Sequence, residues 1–246
     1  MSGDVGVVVP VYFSCSEHVE MTYDLVRDVL ADPVVAQVVI EFHGGEHTWI
    51  SHGGSMLGRL LAQDSRVEVV SGAGAPFYAL WNDGCRRVLA RLGESALIGI
   101  LNNDLRLDPN TLSRLAEPLR PHSSIAITYP DYDAKERLPH NPLLPTAGTY
   151  KDGGMWGCCF MVRGDVWQAV GGFDESYTIW YGDDDFERAV REHHPPNWLP
   201  GSSRWQVCRL VGLPFTHLQS RTLNRRPDLL ARTEADRQRF VRKGTP

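Results

Sequence analysis

Two acidic stretches carry most of the chemistry this sequence can do. Asn102-Asn103-Asp104 directly follows the continuous apolar run from Ala96 to Leu101. Such a run suits a strand buried on both faces of a parallel sheet, so Asp104 falls at the strand's carboxyl end, where the sheet opens. A carboxylate there can hold a hard divalent cation, which takes oxygen ligands and keeps water and substrate phosphates in its other positions. The plainer alternative is an Asn/Asp turn before the next helix. Tyr181-Gly182-Asp183-Asp184-Asp185 leads into a helix. Three carboxylates in a first turn complement the helix macrodipole, which makes capping the simple account. Against it, three adjacent acids repel one another, a cost more easily borne where one of them handles a cation or a proton. His217 follows the strand-like VGLPFT and, taken singly, reads as a structural histidine. His43, His47 and His52, around Gly44-Gly45 and Gly53-Gly54, match no metal-site spacing and read as a polar loop.

Those residues need a frame. Gly6 to Val11 is a short β-branched run, and Ser14-x-x-Glu17 has the spacing of a capping box opening a helix to about Leu30. Val34 to Phe42 and Val67 to Val70 read as the next strands, and Phe77 to Leu92 is apolar at helical spacing. Asp108-Pro109 reads as an N-cap followed by proline at the first helical position, starting a helix to about Leu119. Strand-helix alternation of this kind predicts an open, mostly parallel α/β sheet flanked by helices, with ligands at the strands' carboxyl ends. Residues 130–152, rich in Pro, Gly, Asn and Asp, read as a long surface loop able to close over a site. Met155 to Val162 returns to strand character, and Asp165 to Val170 is a short helix ended by Gly171-Gly172. Asp183 to His193 is an amphipathic helix stopped by Pro195-Pro196, and a last helix spans about Pro227 to Arg242.

A chain of 246 residues, 42% apolar and 22% charged, can bury one large core as a single domain. No apolar run approaches a membrane span and the N-terminus lacks the pattern of a leader, so a soluble, cytoplasmic protein is expected. Five cysteines with no Cys-x-x-Cys spacing signal neither a disulfide framework nor a zinc knuckle, which fits a reducing compartment. The net charge of -5 is unevenly spread: from Trp198 onward ten Lys or Arg stand against three Asp or Glu. That tail reads as a solvated basic helix, or as a contact for an anionic partner such as a phosphate or nucleic acid.

In order, VVVPVY, Asn82-Asp83-Gly84, LNND, Trp156-Gly157, GGFDE, YGDDDF and His217 resemble the family 2 inverting glycosyltransferases over residues 6 to about 220. Each motif is weak alone; seven in order are specific. The resemblance implies a single-domain GT-A (Rossmann-like) fold, with residues 6–120 the nucleotide-sugar half, 121–220 the acceptor and catalytic half, and 221–246 a basic helical tail. It further implies Mn²⁺ or Mg²⁺ held by Asp104 and His217 against the diphosphate of a UDP-, GDP- or TDP-sugar. Pro10, Val11, Tyr12, Glu41, Asn82, Asn102 and Asn103 would join Asp104 around that donor. Asp183 would be the general base, or Asp184 if the alignment slips by one residue, and Trp156, Gly157 and Asp185 would shape the sugar and acceptor pocket. Two positions depart from the family pattern: Glu41-Phe42-His43-Gly44 where Asp and small polar residues are usual, and Phe13 in place of an asparagine. Both leave the nucleobase open. Expected acceptors are a glycan, a small molecule, or a hydroxymethylated pyrimidine in DNA reached by the basic tail. A silent nucleotide-sugar-binding module and a nucleotidyltransferase remain as alternatives.

Overall fold

The computed structural model describes residues 5–13, 15–45 (backbone only at 44 and 45), 55, 58–59, 63–71, 74–119, 124–132, 142–146, 155–193, 205–213, 215–218 and 231–244. His47, His52, most of the 130–152 loop and three basic residues of the C-terminal stretch, Arg221, Arg225 and Arg226, lie outside them.

Among the described residues, eight strands form one mixed sheet in the order β3-β2-β1-β4-β8-β6-β9-β7. They are β1 (Val5–Phe13), β2 (Val35–Gly45), β3 (Val67–Ser71), β4 (Leu97–Leu101), β6 (Ile125–Pro130), β7 (Leu143–Pro145), β8 (Cys159–Arg163) and β9 (Gln206–Leu210). Strands β3, β2, β1 and β4 are mutually parallel, and β8 runs antiparallel between β4 and β6. A separate antiparallel pair joins β5 (Leu105–Leu107) to β10 (Phe215–His217).

Strand alternation decides which face each side chain joins. Val5, Val7, Val9 and Val11 of β1 pack with α1 (Ser16–Leu30) and α3 (Thr111–Ala116). Val8 points to the other face, against α2 (Phe77–Leu92), α4 (Gly164–Val170) and α5 (Gly182–Glu192). Each fully buried valine contributes roughly 1.5 to 3 kcal/mol. Helix α2 approaches β1 closely because glycines face valines in both directions. A Cβ on Gly6 would lie 2.3 Å from Val88 Cγ1, and one on Gly84 would lie 2.4 Å from Val8 Cγ1.

Helix starts differ from the expected capping. Ser14 lies outside the described residues, and α1 begins after Cys15 with no side-chain cap. Asp108 does not cap α3. Its N-cap is Asn110 in the left-handed region, and the amides of Leu112 and Ser113 donate to Asp32 Oδ2 at 3.0 and 3.1 Å. Asp32 stands in the turn between α1 and β2, so the cap comes from a distant part of the chain.

The C-terminal helix α6 (Thr233–Gly244) is attached by the same device on a larger scale. Asp236, 1% exposed, accepts the amides of Thr178, Ile179 and Trp180 at 3.0 to 3.2 Å. Lys243 pairs with Asp174 at 2.5 Å and Asp185 at 2.9 Å, and Arg188 lies 4.5 Å over the Phe240 ring. Asp236→Ala should therefore destabilise the protein by about 2 kcal/mol, lowering Tm by roughly 4 to 8 °C in a thermal melt. An unchanged Tm would show that water replaces those bonds. No described helix is long and apolar enough to cross a membrane.

Candidate active site

The carboxyl ends of β1 and β4 open into a cavity of about 1230 Å³. Pro10, Val11 and Tyr12 bound it from β1, Asn102, Asn103 and Asp104 from the end of β4, and Trp156 and Gly157 from the approach to β8. Asp183 and Asp184 enter it from the first turn of α5, and His217 from the end of β10.

Asp104 and His217 meet because β10 pairs antiparallel with β5, placing His217 opposite Leu105. The Leu218 amide donates to the Asp104 carbonyl at 2.8 Å and locks that register. His217 Nε2 lies 3.2 Å from Asp104 Oδ1, yet this buried nitrogen makes no hydrogen bond. A carboxylate oxygen and an imidazole nitrogen at this separation, with no hydrogen bond joining them, suit a shared cation. Tyr132 Oη stands 3.5 Å from His217 Nδ1, placing a polar partner on the ring nitrogen away from Asp104. One carboxylate oxygen and one imidazole nitrogen are a donor set that Mn²⁺ or Mg²⁺ accepts. Among the described residues no group of three or more His, Cys, Asp or Glu could hold an ion. A cation here would need the rest of its shell from other oxygens, such as water. Asn103 is held back from the cavity centre by donating to Thr22 Oγ1 at 3.1 Å.

Asp183 stands half-buried in the cavity wall. Burial pushes its carboxyl above the usual range, opposed by the backbone amides of Asp183 and Asp184, the Tyr78 hydroxyl and the Gly157 backbone. The Trp156-Gly157 motif has a steric reason: a Cβ on residue 157 would lie 2.1 Å from Asp183 Oδ2. Gly157→Ala should displace that carboxylate and lower turnover by about tenfold or more with the fold intact. Wild-type turnover in this variant would show that the carboxylate position is not critical. Tyr181, the residue before α5, has φ 66°, outside the range that tyrosine prefers, and this strained backbone sits at the cavity wall.

Three expected site residues are placed elsewhere. Asp185, two residues and about 200° around the helix from Asp183, turns away to Arg188 and Lys243. Asn82 is a fastener: its Nδ2 donates to the Phe173 carbonyl and its Oδ1 accepts the Phe173 amide, both at 2.9 Å, tying α2 to the GGFDE turn. Glu41, fully buried on β2, faces α2, where Arg87 lies 3.7 Å away and Asp83 is close. Burial first, then Asp83, raise its carboxyl to about 7.

Other residues line the cavity that the sequence pattern does not assign to it, among them His43, which stands in β2 and not in the expected polar loop. Tyr132 stacks on Trp156 at 3.8 Å and 10°, forming an aromatic wall beside His217. Tyr78 and Trp81 come from the apolar face of α2, where aromatics read as core, and Glu175 to Tyr181 form the strand-free floor. His43 also lines the cavity, its ring 6.1 Å from Tyr12. Cys158 lines it too, with burial holding the thiol well above its ordinary value and so protonated.

No protein-family model and no curated protein sequence matches the chain. Solved structures do. GalNAc-T7 with UDP, GalNAc and Mn²⁺ matches at 12% identity and TM-score 0.63, over 87% of this chain and 43% of its own. A mannosyltransferase from Pyrobaculum calidifontis with GDP-Man and Mn²⁺ matches at 13% and 0.56, over 85% and 57%. S. aureus TarS 1-349 matches at 12% and 0.58, over 86% and 59%. The chain thus spans about half the length of these structures. Together with the sheet order and flanking helices, the likeness gives this chain the GT-A glycosyltransferase fold.

Proposed function

We propose that the chain is a metal-dependent, inverting glycosyltransferase that moves a sugar from a nucleotide-sugar donor to an acceptor hydroxyl. The observation that carries this reading is the unbonded contact of His217 Nε2 with Asp104 Oδ1, in the same cavity as the carboxyl of Asp183. Inverting transfer is one in-line displacement at the anomeric carbon. It requires a base on the acceptor side and charge neutralisation on the leaving side. Asp183 takes the acceptor's hydroxyl proton, and its raised proton affinity makes it a stronger base than a solvated carboxylate once ionised. Asp184, also in the cavity wall, is the alternative base. Asp104 and His217 would hold Mn²⁺ or Mg²⁺, which would supply positive charge to offset the negative charge developing on the leaving diphosphate. Pro10, Val11, Tyr12 and Asn102 bound the nucleotide-sugar, and Trp156 and Gly157 shape the sugar and acceptor pocket.

For the acceptor, the aromatic wall of Tyr132 and Trp156 favours a glycan or small hydroxylated molecule, since sugar rings present apolar faces to aromatics. Two described cations of α6 also point this way: Lys243 is paired with Asp174 and Asp185 of the body, and Arg237 with Glu234 of its own helix. A DNA acceptor would rest on Arg221, Arg225 and Arg226.

Thermal melts with UDP, GDP, TDP and their sugars, each with Mn²⁺ and with EDTA, test the reading. A ligand at a hundredfold its Kd adds about 2.7 kcal/mol, a rise of roughly 5 to 11 °C. One nucleotide series should raise Tm with Mn²⁺ and not with EDTA. No shift with any nucleotide would contradict the proposal.

A further inference from the structure

We propose that Tyr78 is a positioning residue for Asp183, its single hydroxyl proton passing between the Asp183 carboxylate and the Ile179 carbonyl as Asp183 loses and regains its own proton. As a role in catalysis this rests on Asp183 being the base; as a coupling between two side chains it does not.

The geometry is that of one donor facing two acceptors. Tyr78 Oη lies 3.1 Å from the Ile179 carbonyl and 3.3 Å from Asp183 Oδ1, while the Gly182 amide donates to it at 3.1 Å. The amide occupies one lone pair and fixes the oxygen, leaving the O–H torsion as the remaining freedom. The ring itself is locked: it is 1% exposed, edge-on to Trp81 at 5.2 Å and stacked with Phe173 at 5.9 Å. A Cβ on Gly182 would fall 2.3 Å from Tyr78 Cζ, so the first residue of α5 is shaped to the phenol. Against an ionised carboxylate the O–H turns to Asp183, because charge-assisted bonds are the stronger ones. Against a protonated carboxyl the neutral Ile179 carbonyl is the nearer acceptor, and the O–H returns to it.

Burial, and then the charge of Asp183, hold the phenol well above its ordinary value, so Tyr78 remains a donor throughout. The other titratable groups facing Asp183 oppose its ionisation. They are Asp184 on the same turn and Glu187 one turn along α5, while Cys158, from the approach to β8, stays a neutral thiol. Tyr78, from α2, supplies a side-chain proton in the opposite sense, assisted by the backbone amides around the carboxylate.

The test is a ¹³C NMR titration of aspartate-labelled protein, with the Asp183 carboxyl assigned by its loss in Asp183→Asn. In Tyr78→Phe the Asp183 midpoint should move up by about one pH unit, the scale of one lost charge-assisted hydrogen bond. Introducing 3-fluorotyrosine at position 78, a stronger donor of the same shape, should move it down. A midpoint unchanged in both proteins overturns the proposal, since a purely structural tyrosine would alter Tm and leave the titration in place. This readout needs no activity. Loss of the coupling is therefore distinguishable from failure of the base assignment, which is read from turnover of Asp183→Asn.

Discussion

Asp183→Asn is expected to lower turnover by about 10² to 10⁴-fold while donor affinity changes by less than about threefold. The amide is isosteric with the carboxyl and keeps the hydrogen bond from Tyr78, so the cavity retains its shape. What would disappear is the oxygen proposed to accept the acceptor's proton. The same assignment fixes a pH dependence. A base whose carboxyl is raised by burial is active when ionised, so turnover falls as pH drops through that raised value and recovers above it. Asp184→Asn should cost less than tenfold. If instead Asp184→Asn shows the large loss and Asp183→Asn the small one, the base is the neighbouring carboxylate. Both line the cavity, but Asp183 is the one held by Tyr78 and Gly157.

Asp104→Ala should weaken Mn²⁺-dependent nucleoside diphosphate binding by about 10²-fold or more. Outer partners of metal ligands alone account for 10 to 100-fold, and Asp104 is proposed as a ligand itself. The carboxylate is 3% exposed, and its loss leaves His217 alone at that end of the cavity. Thermal melts with UDP or GDP read the effect: the rise in Tm with Mn²⁺ should vanish, while Tm without nucleotide stays within a few degrees of wild type. A full Mn²⁺-dependent rise in Asp104→Ala would remove Asp104 from the metal site.

The strands and helices that frame the cavity were legible because their period is written in adjacent residues. The apolar run before Asn102 is β4, and the helical spacing of Phe77 to Leu92 is α2 to the residue. The acids at 183 and 184 were legible as the first turn of a helix. Contacts made across the fold were not. The Asp32 cap on α3 and the Asp236 clamp on residues 178–180 join distant segments, and neither acid differs locally from a surface residue. The three-residue strands β5 and β10 are too short to show a period, yet they bring His217 to Asp104. Glu41 and Asn82 were assigned to the donor pocket by resemblance, which gives a position on an element but not the direction of the side chain. In β2 that direction reverses with every residue, and Glu41 faces α2.

The cavity is proposed to bind a nucleoside diphosphate through a cation held by Asp104 and His217. Calorimetric titration of UDP and of GDP into the wild-type protein, with Mn²⁺ and with EDTA, tests it most directly. One nucleotide should bind with Mn²⁺ and lose affinity by about 10²-fold or more in EDTA. The same loss should appear in Asp104→Ala and His217→Ala, and not in Asp183→Asn. Equal affinity with Mn²⁺ and with EDTA, or binding undiminished in both ligand variants, would contradict the account.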